Sequence, residues 1–156
     1  AFLGDPDVKI FGVEAGGIGD GLGENAATLA TGTPGVLQGS YTMILQNSDG
    51  QVQETQSVSA GLDYSGVGPE HAFLQAIGRV TYVSEGDKEA LEALAECCAR
   101  EGILTALETA HAFAGARRWA KQNPGAKILI GNSGRGDKDM PTLIQYPVAG
   151  GDHAAS

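Results

Sequence analysis

Glu108 and His111 form a pair of residues whose types and spacing could do chemistry. Their i, i+3 spacing would place both side chains on one face of a helix, as in carboxylate-bridged metal sites. Such sites need a second copy of the pair and further glutamates, and the sequence holds one copy only, so a packed histidine is favoured. Glu108 by itself begins a largely apolar helix, where a carboxylate could move a proton or tune a ligand. An acid placed there by the helix dipole is an equal alternative.

Two glycine-rich segments could bring backbone close to a ligand. Residues 16–23 contain five glycines in eight positions. Within them, Gly21-x-Gly23-x-x-Ala26 matches a loosened dinucleotide fingerprint, but it stands too far beyond the preceding strand, so a packed or mobile loop is favoured. The second segment, residues 131–137, places Ser133 between glycines. Because the Gly-x-Ser-x-Gly spacing fails at Arg135, a hydrogen-bonding hydroxyl is favoured over a nucleophile.

The composition limits the class of protein. The 156 residues include 24 glycines, and 10 basic against 19 acidic residues give a net charge of −9. This balance argues against a nucleic-acid partner, which clustered Lys and Arg would bind. No apolar run reaches the length of a membrane span. The adjacent cysteines, Cys97 and Cys98, cannot readily bridge each other, which favours a reducing, cytoplasmic location.

The elements that must position these residues alternate between strands and helices. Apolar runs predict buried strands at 8–13, 80–83 and 126–130, and Asp49-Gly50 predicts a β-hairpin turn. Caps and periodicity predict helices at 26–30, 69–79, 87–100 and 107–122. The pattern is typical of an α/β fold with a mostly parallel sheet flanked by helices plus one β-hairpin, whose ligands bind beyond the strand ends. We expect one domain over 1–149 and a polar tail over 150–156.

Four segments resemble the β subunit of tryptophan synthase, and they stand in that family's order. They are Ser-Val-Ser-Ala-Gly-Leu-Asp-Tyr at 57–64, Gly-Val-Gly-Pro-Glu-His at 66–71, Ala-Leu-Glu-Thr-Ala-His-Ala at 106–112 and Gly-Arg-Gly-Asp-Lys-Asp at 134–139. The resemblance runs from about residue 8 to about residue 144. Several multi-residue motifs in register make it specific.

The resemblance implies a fold-type II enzyme that uses pyridoxal 5'-phosphate (PLP). The family makes L-tryptophan and water from L-serine and indole, with a monovalent cation as a further cofactor. Its β subunits form a homodimer, and each binds an α subunit. We therefore expect a cytoplasmic lyase of amino-acid biosynthesis.

The resemblance also assigns roles to residues. Ser133 would meet the pyridine nitrogen of the cofactor, Glu108 would lie against its ring, and Gly61 and Gly134 would let backbone approach it. Asp63 would pair with an arginine of a mobile subdomain when the site closes and excludes water.

Three further residues would serve the cation. The main-chain carbonyls of Leu62, Tyr64 and Gly66 would act as its ligands.

Other family features match nothing in this sequence. The cofactor-binding lysine, the acid–base glutamate and the phosphate-binding loop belong to an N-terminal part, so this chain resembles a C-terminal portion that we expect to be inactive by itself. Leu37 and Gln38 stand where many relatives have an aromatic pair along the indole tunnel. One alternative is a non-catalytic folding domain or truncation product. A small-molecule or nucleotide-binding module built on residues 16–23 ranks below both.

Overall fold

The computed structural model describes residues 2–146, so the tail predicted for 150–156 lies outside the described residues. The chain divides into two compact units, Ala1–Asp87 (unit 1) and Lys88–Ser156 (unit 2). Within residues 2–146, no helix has the length and apolar character needed to cross a bilayer.

Unit 1 is built on a parallel pair of strands. β1 (Phe11–Gly17) runs beside β4 (Thr81–Gly86), with Phe11 opposite Thr81 and Gly17 opposite Gly86. The register shifts between Ala15 and Gly17, as at a β-bulge or a similar irregularity. Both strands begin and end later than the predicted runs 8–13 and 80–83, since their pairing continues to Gly17 and Gly86. The predicted parallel sheet is confirmed.

The β-hairpin of unit 1 lies earlier in the chain than predicted. β2 (Thr33–Leu37) pairs antiparallel with β3 (Ser40–Ile44). The two turn residues, Gln38 and Gly39, have φ values of +50° and +81°, which is the geometry of the tight turns that connect adjacent antiparallel strands. Leu37 therefore ends a strand, and Gln38 holds a left-handed conformation that is unusual for a side chain other than glycine.

The turn predicted at Asp49-Gly50 forms, but the two strands that a hairpin there would need do not. The turn itself forms, since the Gly50 amide donates to the Asn47 carbonyl at 3.0 Å. It carries a single bridge between Gln46 and Val52. The chain then leaves β3, and the Gln56 amide donates to the Asn25 carbonyl at 3.4 Å instead.

The helices of unit 1 are shorter than predicted. α1 (Thr28–Thr31) begins two residues after residue 26, because Asn25 accepts from the Ala27 amide at 3.0 Å and holds a turn before the helix starts. α2 (Pro69–Ala76) ends before Gly78, which has a φ of +69°. The core contains the buried apolar residues Ala15, Ala26, Ala27, Leu29, Ile44, Leu45, Val58 and Val80.

Arg79 ties the start of the chain to unit 1. Its guanidinium donates to four main-chain carbonyls: Phe2 at 2.6 Å, Leu3 and Asp5 at 2.7 Å and Val8 at 3.1 Å. A guanidinium has five fixed donors and can satisfy several carbonyls at once. This one side chain therefore holds a segment of irregular backbone beside the entrance of β1.

Glu14 connects β1 to α1. Its carboxylate accepts from the amides of Leu29 at 2.8 Å and Ala30 at 3.1 Å, in the first turn of α1. Burial raises the pKa of Glu14 above its ordinary value of 4.5, and the two backbone hydrogen bonds offset part of that rise. The protonated form is therefore favoured more strongly in the folded unit than in the unfolded chain.

This shift predicts how the stability of unit 1 depends on pH. An acid whose pKa is raised on folding stabilises the fold below its unfolded pKa, and that contribution is lost as the pH rises through the folded pKa. We expect the free energy of unfolding of the wild type to fall relative to Glu14→Gln as the pH rises from about 4 towards 7. Urea titrations of both proteins across that range measure the difference. A difference that stays constant, or that grows with pH, would contradict the assignment.

Unit 2 contains the two long helices. α3 (Asp87–Glu101) begins at the last residue of unit 1, and α4 spans Leu107–Gln122. Both agree with the prediction to within a residue. Arg117 of α4 pairs with Glu92 and Glu96 of α3 at 3.5 and 3.4 Å. The buried apolar residues of unit 2 are small for the most part: Ala90, Ala93, Leu94, Cys97, Ala106, Leu107, Ala110 and Ala114.

The prediction of a buried strand at 126–130 is wrong. These residues are described by the structure, and they form no strand. Ile128 and Ile130 line an open, mostly apolar groove of about 310 Å³ together with side chains of α3 and α4. Leu129 between them is 84% exposed. The alternation of a strand is thus present, but a strand also needs a paired neighbour. Beyond this segment a short 3₁₀ helix (Gly136–Asp139) leads into α5 (Met140–Leu143).

Candidate functional site

Ser133 lies in a loop that is fastened to the first turns of α4. We call residues 132–136 the serine loop. The Ser133 hydroxyl lies 3.1 Å from the Thr109 hydroxyl, and the Ser133 amide donates to the same Thr109 oxygen at 3.3 Å. Ser133 itself is exposed. The contact therefore fixes a neutral hydroxyl at an accessible position, where it can donate or accept a further hydrogen bond.

Three more contacts hold the serine loop against the segment before α4. The Thr105 hydroxyl donates to the Asn132 side chain at 2.9 Å. The Gly136 amide donates to the Leu104 carbonyl at 2.9 Å, and Thr105 forms an antiparallel bridge with Arg135. The loop is consequently held at both of its ends.

Gly134 in this loop leaves room for a close approach. A Cβ added there would meet only the Cβ of Ala106, at 3.3 Å. Its carbonyl accepts from the Ala106 amide at 3.4 Å. The face of Gly134 away from Ala106 could thus receive a flat group.

Glu108 takes part in a charged cluster at the start of α4. Lys138 Nζ lies 2.8 and 3.1 Å from the two Glu108 carboxylate oxygens and 2.7 Å from an Asp139 oxygen. The other Asp139 oxygen accepts from the Leu107 amide at 2.9 Å, at the first residue of α4. An aspartate that accepts from a free amide at a helix start stabilises that helix. Asp139 therefore caps α4 from 32 residues away.

Electrostatics agree with this geometry. Burial lowers the pKa of Lys138, but hydrogen bonds to Asp139 and Glu108 and the charges of both carboxylates outweigh it, so the pKa is raised above its ordinary value. The lysine is accordingly held in its charged form between two carboxylates. It is committed to this cluster.

His111 is a core residue, as favoured from the sequence. Its ring is fully buried, and Nδ1 lies 2.8 Å from the Leu107 carbonyl oxygen. Among the described residues there is no group of three or more His, Cys, Asp or Glu side chains that could hold a metal ion. The buried ring and its contact with the Leu107 carbonyl agree with the packed histidine that the sequence favoured.

The remaining candidate residues lie in unit 1, in the loop after Ser59. The Asp63 amide donates to the Ser59 carbonyl at 3.1 Å, and both Asp63 and Gly61 are exposed. The carboxylate of Asp63 is therefore accessible on a short turn. Ser59 is fully buried, and its hydroxyl has no hydrogen-bond partner among the described residues.

The three carbonyls expected to bind a cation belong to the same stretch. The Leu62 carbonyl accepts from the Tyr64 amide at 2.9 Å, which folds the chain tightly at this point. Gly66 bridges Ile44 of β3. The tight turn at one end and the bridge at the other position the carbonyls of Leu62, Tyr64 and Gly66 within one short stretch of unit 1.

The glycine-rich loop at 16–23 is filled by its own chain. Asn25 donates from its amide group to the carbonyls of Gly19 at 3.0 Å and Gly21 at 3.2 Å. The Gly21 amide donates to the carboxylate of Glu24 at 3.0 Å. A carboxylate at this position would repel a phosphate, so the packed loop is favoured over the nucleotide-binding alternative.

The sequence pointed to Ser133, Glu108 and Gly134, and the structure places all three in unit 2 around the first turns of α4. From the sequence alone, we did not single out Thr109, Lys138 or Asp139. Thr109 adjoins Glu108, and Lys138 and Asp139 belong to the motif at 134–139. Adjacency to Glu108 was thus the signal for Thr109, and membership of the motif was the signal for Lys138 and Asp139.

Comparisons with known proteins give the family. The chain is 52% identical over 149 residues to the tryptophan synthase beta chain of Pseudomonas syringae pv. syringae, a match that covers 95% of this chain and 36% of that protein. It is 50% identical over 145 residues to the same protein of Methylobacterium sp. (strain 4-46) and 53% identical over 145 residues to that of Bordetella petrii. The scan against protein-family models gave no match.

These matches agree with the motifs and with the α/β fold of a PLP-dependent enzyme. The chain spans about 36% of the length of the curated relatives that it matches. Identity near 50% across nearly the whole chain, repeated in several relatives, establishes common descent. The chain is thus a homologue of a C-terminal portion of tryptophan synthase beta chains.

Proposed function

We propose that this chain forms the C-terminal portion of a PLP-dependent enzyme that replaces the hydroxyl of L-serine with indole, giving L-tryptophan and water. The single observation that carries the proposal is the accessible Ser133 hydroxyl, fixed at 3.1 Å from Thr109 beside the open face of Gly134. A neutral hydroxyl suits the pyridine nitrogen of PLP, because it leaves the ring largely unprotonated. When bound, PLP would supply an electron sink for the reaction at the serine side chain.

The other residues have roles within this proposal. Glu108 would lie against the cofactor ring and would tune its electronics through its charge. In unit 2, Gly134 would give the cofactor room. In unit 1, Gly61 would allow a close approach of backbone to the cofactor, and Asp63 would act in closure and exclude water. The carbonyls of Leu62, Tyr64 and Gly66 hold a monovalent cation.

Catalysis by this chain needs groups from another part of the enzyme. Lys138 is engaged with Glu108 and Asp139, and we assign no residue of this chain to covalent binding of the cofactor. We therefore propose that the isolated chain is inactive and that a further segment supplies the lysine, the acid–base glutamate and the phosphate loop. The partners in the complete enzyme are a second β subunit and an α subunit.

Complementation tests the proposal. The chain is mixed or co-expressed with the remaining part of the Pseudomonas syringae beta chain, to which it is 52% identical over its matched region. With PLP, L-serine and indole present, we expect tryptophan only when both parts are present. Ser133→Ala should lower the rate at least tenfold, whereas Ser48→Ala, in an exposed turn of unit 1, should leave the rate unchanged.

The alternative is that the chain acts only as a folding domain. That function predicts no tryptophan from the mixture, although both parts are folded by circular dichroism and associate. Full activity of the Ser133→Ala mixture would contradict the role of Ser133 while leaving the proposed reaction standing.

A further inference from the structure

We propose that Lys138 is a positioning residue that holds the carboxylate of Glu108 in one place at the first turn of α4, with Asp139 fixing the lysine there. The functional meaning of this assignment rests on the proposed function, in which Glu108 faces the cofactor. The assignment itself concerns contacts within unit 2.

The geometry uses every donor that the lysine has. An ammonium group carries three N–H donors, and Lys138 Nζ has three carboxylate oxygens within hydrogen-bond distance: two of Glu108 at 2.8 and 3.1 Å and one of Asp139 at 2.7 Å. Because both Glu108 oxygens are engaged, the carboxylate cannot turn freely about its last bond. The side chains of Glu108 and Asp139 are only 21% and 10% exposed, whereas the Lys138 side chain is 51% exposed, so the carboxylates are partly shielded while the ammonium group stays in contact with solvent.

The cluster also fixes the helix that carries Glu108. Asp139 contacts Lys138 through one oxygen and the Leu107 amide through the other, at 2.9 Å. Leu107 is fully buried. The lysine, the helix start and the core are thus connected through one aspartate.

The same turn of α4 positions Ser133. Thr109 follows Glu108 in the chain, and its hydroxyl lies 3.1 Å from the Ser133 hydroxyl. A movement of the first turn of α4 would displace both groups together. We therefore expect Lys138 to act on the site through Glu108, without touching the cofactor.

A carbon-13 NMR titration of the Glu108 carboxyl group in the chain, without any cofactor, tests the assignment. An opposite charge in contact lowers the pKa of a carboxyl by about 1–3 units. We expect Lys138→Met to raise the pKa of Glu108 by about one unit or more and Lys138→Arg to keep it close to that of the wild type. Lys121→Met, which removes a lysine from the last turn of α4, serves as the matched control and should leave it unchanged.

An unchanged Glu108 pKa in folded Lys138→Met would overturn the assignment. If that variant does not fold, the reciprocal measurement decides. In Glu108→Gln the pKa of Lys138 should fall relative to the wild type, and an unchanged Lys138 pKa would overturn the assignment. Neither experiment needs PLP or the complementary part, so absence of tryptophan formation bears only on the proposed function.

Discussion

Gly17→Ala is expected to destabilise unit 1 by about 3 kcal/mol or more, a large part of the roughly 5–15 kcal/mol that stabilises a typical domain. Gly17 ends β1 with a φ of +54°, a left-handed conformation that disfavours any residue with a Cβ. The added methyl would also overlap the Glu24 carbonyl oxygen and lie 2.6 Å from the Gln56 carbonyl oxygen. Both obstacles are backbone atoms, so neither can move aside as a flexible side chain would.

Two control variants separate these causes. Gly23 has a φ of +82°, and the nearest atom to an added Cβ is the Glu54 oxygen at 4.0 Å, so Gly23→Ala meets the conformational strain alone. Gly4→Ala meets neither, since nothing lies within 4 Å. In thermal and urea unfolding, Gly17→Ala should be much less stable than Gly23→Ala. Gly4→Ala should be as stable as the wild type. Equal stability of the Gly17 and Gly23 variants would show that the two carbonyls give way.

Gly136→Ala is expected to have the largest effect at the candidate site. An added Cβ would overlap the Thr105 carbonyl oxygen and lie 3.0 Å from Leu104 Cγ. The loop would have to move away from the segment before α4, which breaks the hydrogen bond from the Gly136 amide to Leu104. Overpacking of this kind costs about 1–3 kcal/mol of stability. Displacement of a positioned group by about 1 Å can lower a rate about a hundredfold.

Two measurements check this prediction. Hydrogen exchange should show faster exchange of the Gly136 and Ser133 amides in Gly136→Ala, and the complementation assay should show the loss of rate. Gly131→Ala, just before the serine loop, is the control because nothing lies within 4 Å of its added Cβ. If Gly136→Ala keeps both the slow amide exchange and the rate of tryptophan formation, the contact with Thr105 does not position the loop.

The two long helices could be predicted because their evidence is local. The apolar stripe of α3 and the charges and Asn-Pro-Gly stop of α4 are carried by the helices themselves. The structure places them at Asp87–Glu101 and Leu107–Gln122. The formation of a strand depends on partners elsewhere in the chain, so the predicted strands agree less well with the structure than the predicted helices do. Asp49-Gly50 is a good turn signal, yet the hairpin strands meet at Gln38-Gly39, because β3 finds its partner on its N-terminal side.

At the candidate site, too, local features could be predicted and contacts between distant residues could not. Glu108, Ser133 and Gly134 could be named from motifs, because the resemblance assigns each a position in the sequence. The contacts that hold them could not. Lys138 reaches Glu108 across 30 residues, and Ser133 reaches Thr109 across 24. Such pairs exist only after residues 132–139 have folded onto α4.

The segment at 127–130 pairs with no strand among the described residues. Its apolar side chains lie partly exposed, with Leu129 the most exposed of them, in a strand-like alternation beside α3 and α4. A polypeptide that pairs with this segment would bind the folded unit and not the unfolded chain. By mass action, the unfolding temperature of unit 2 would then rise with the logarithm of that polypeptide's concentration. In the presence of such a polypeptide, the stability of this unit would depend on the polypeptide's concentration as well as on the chain itself.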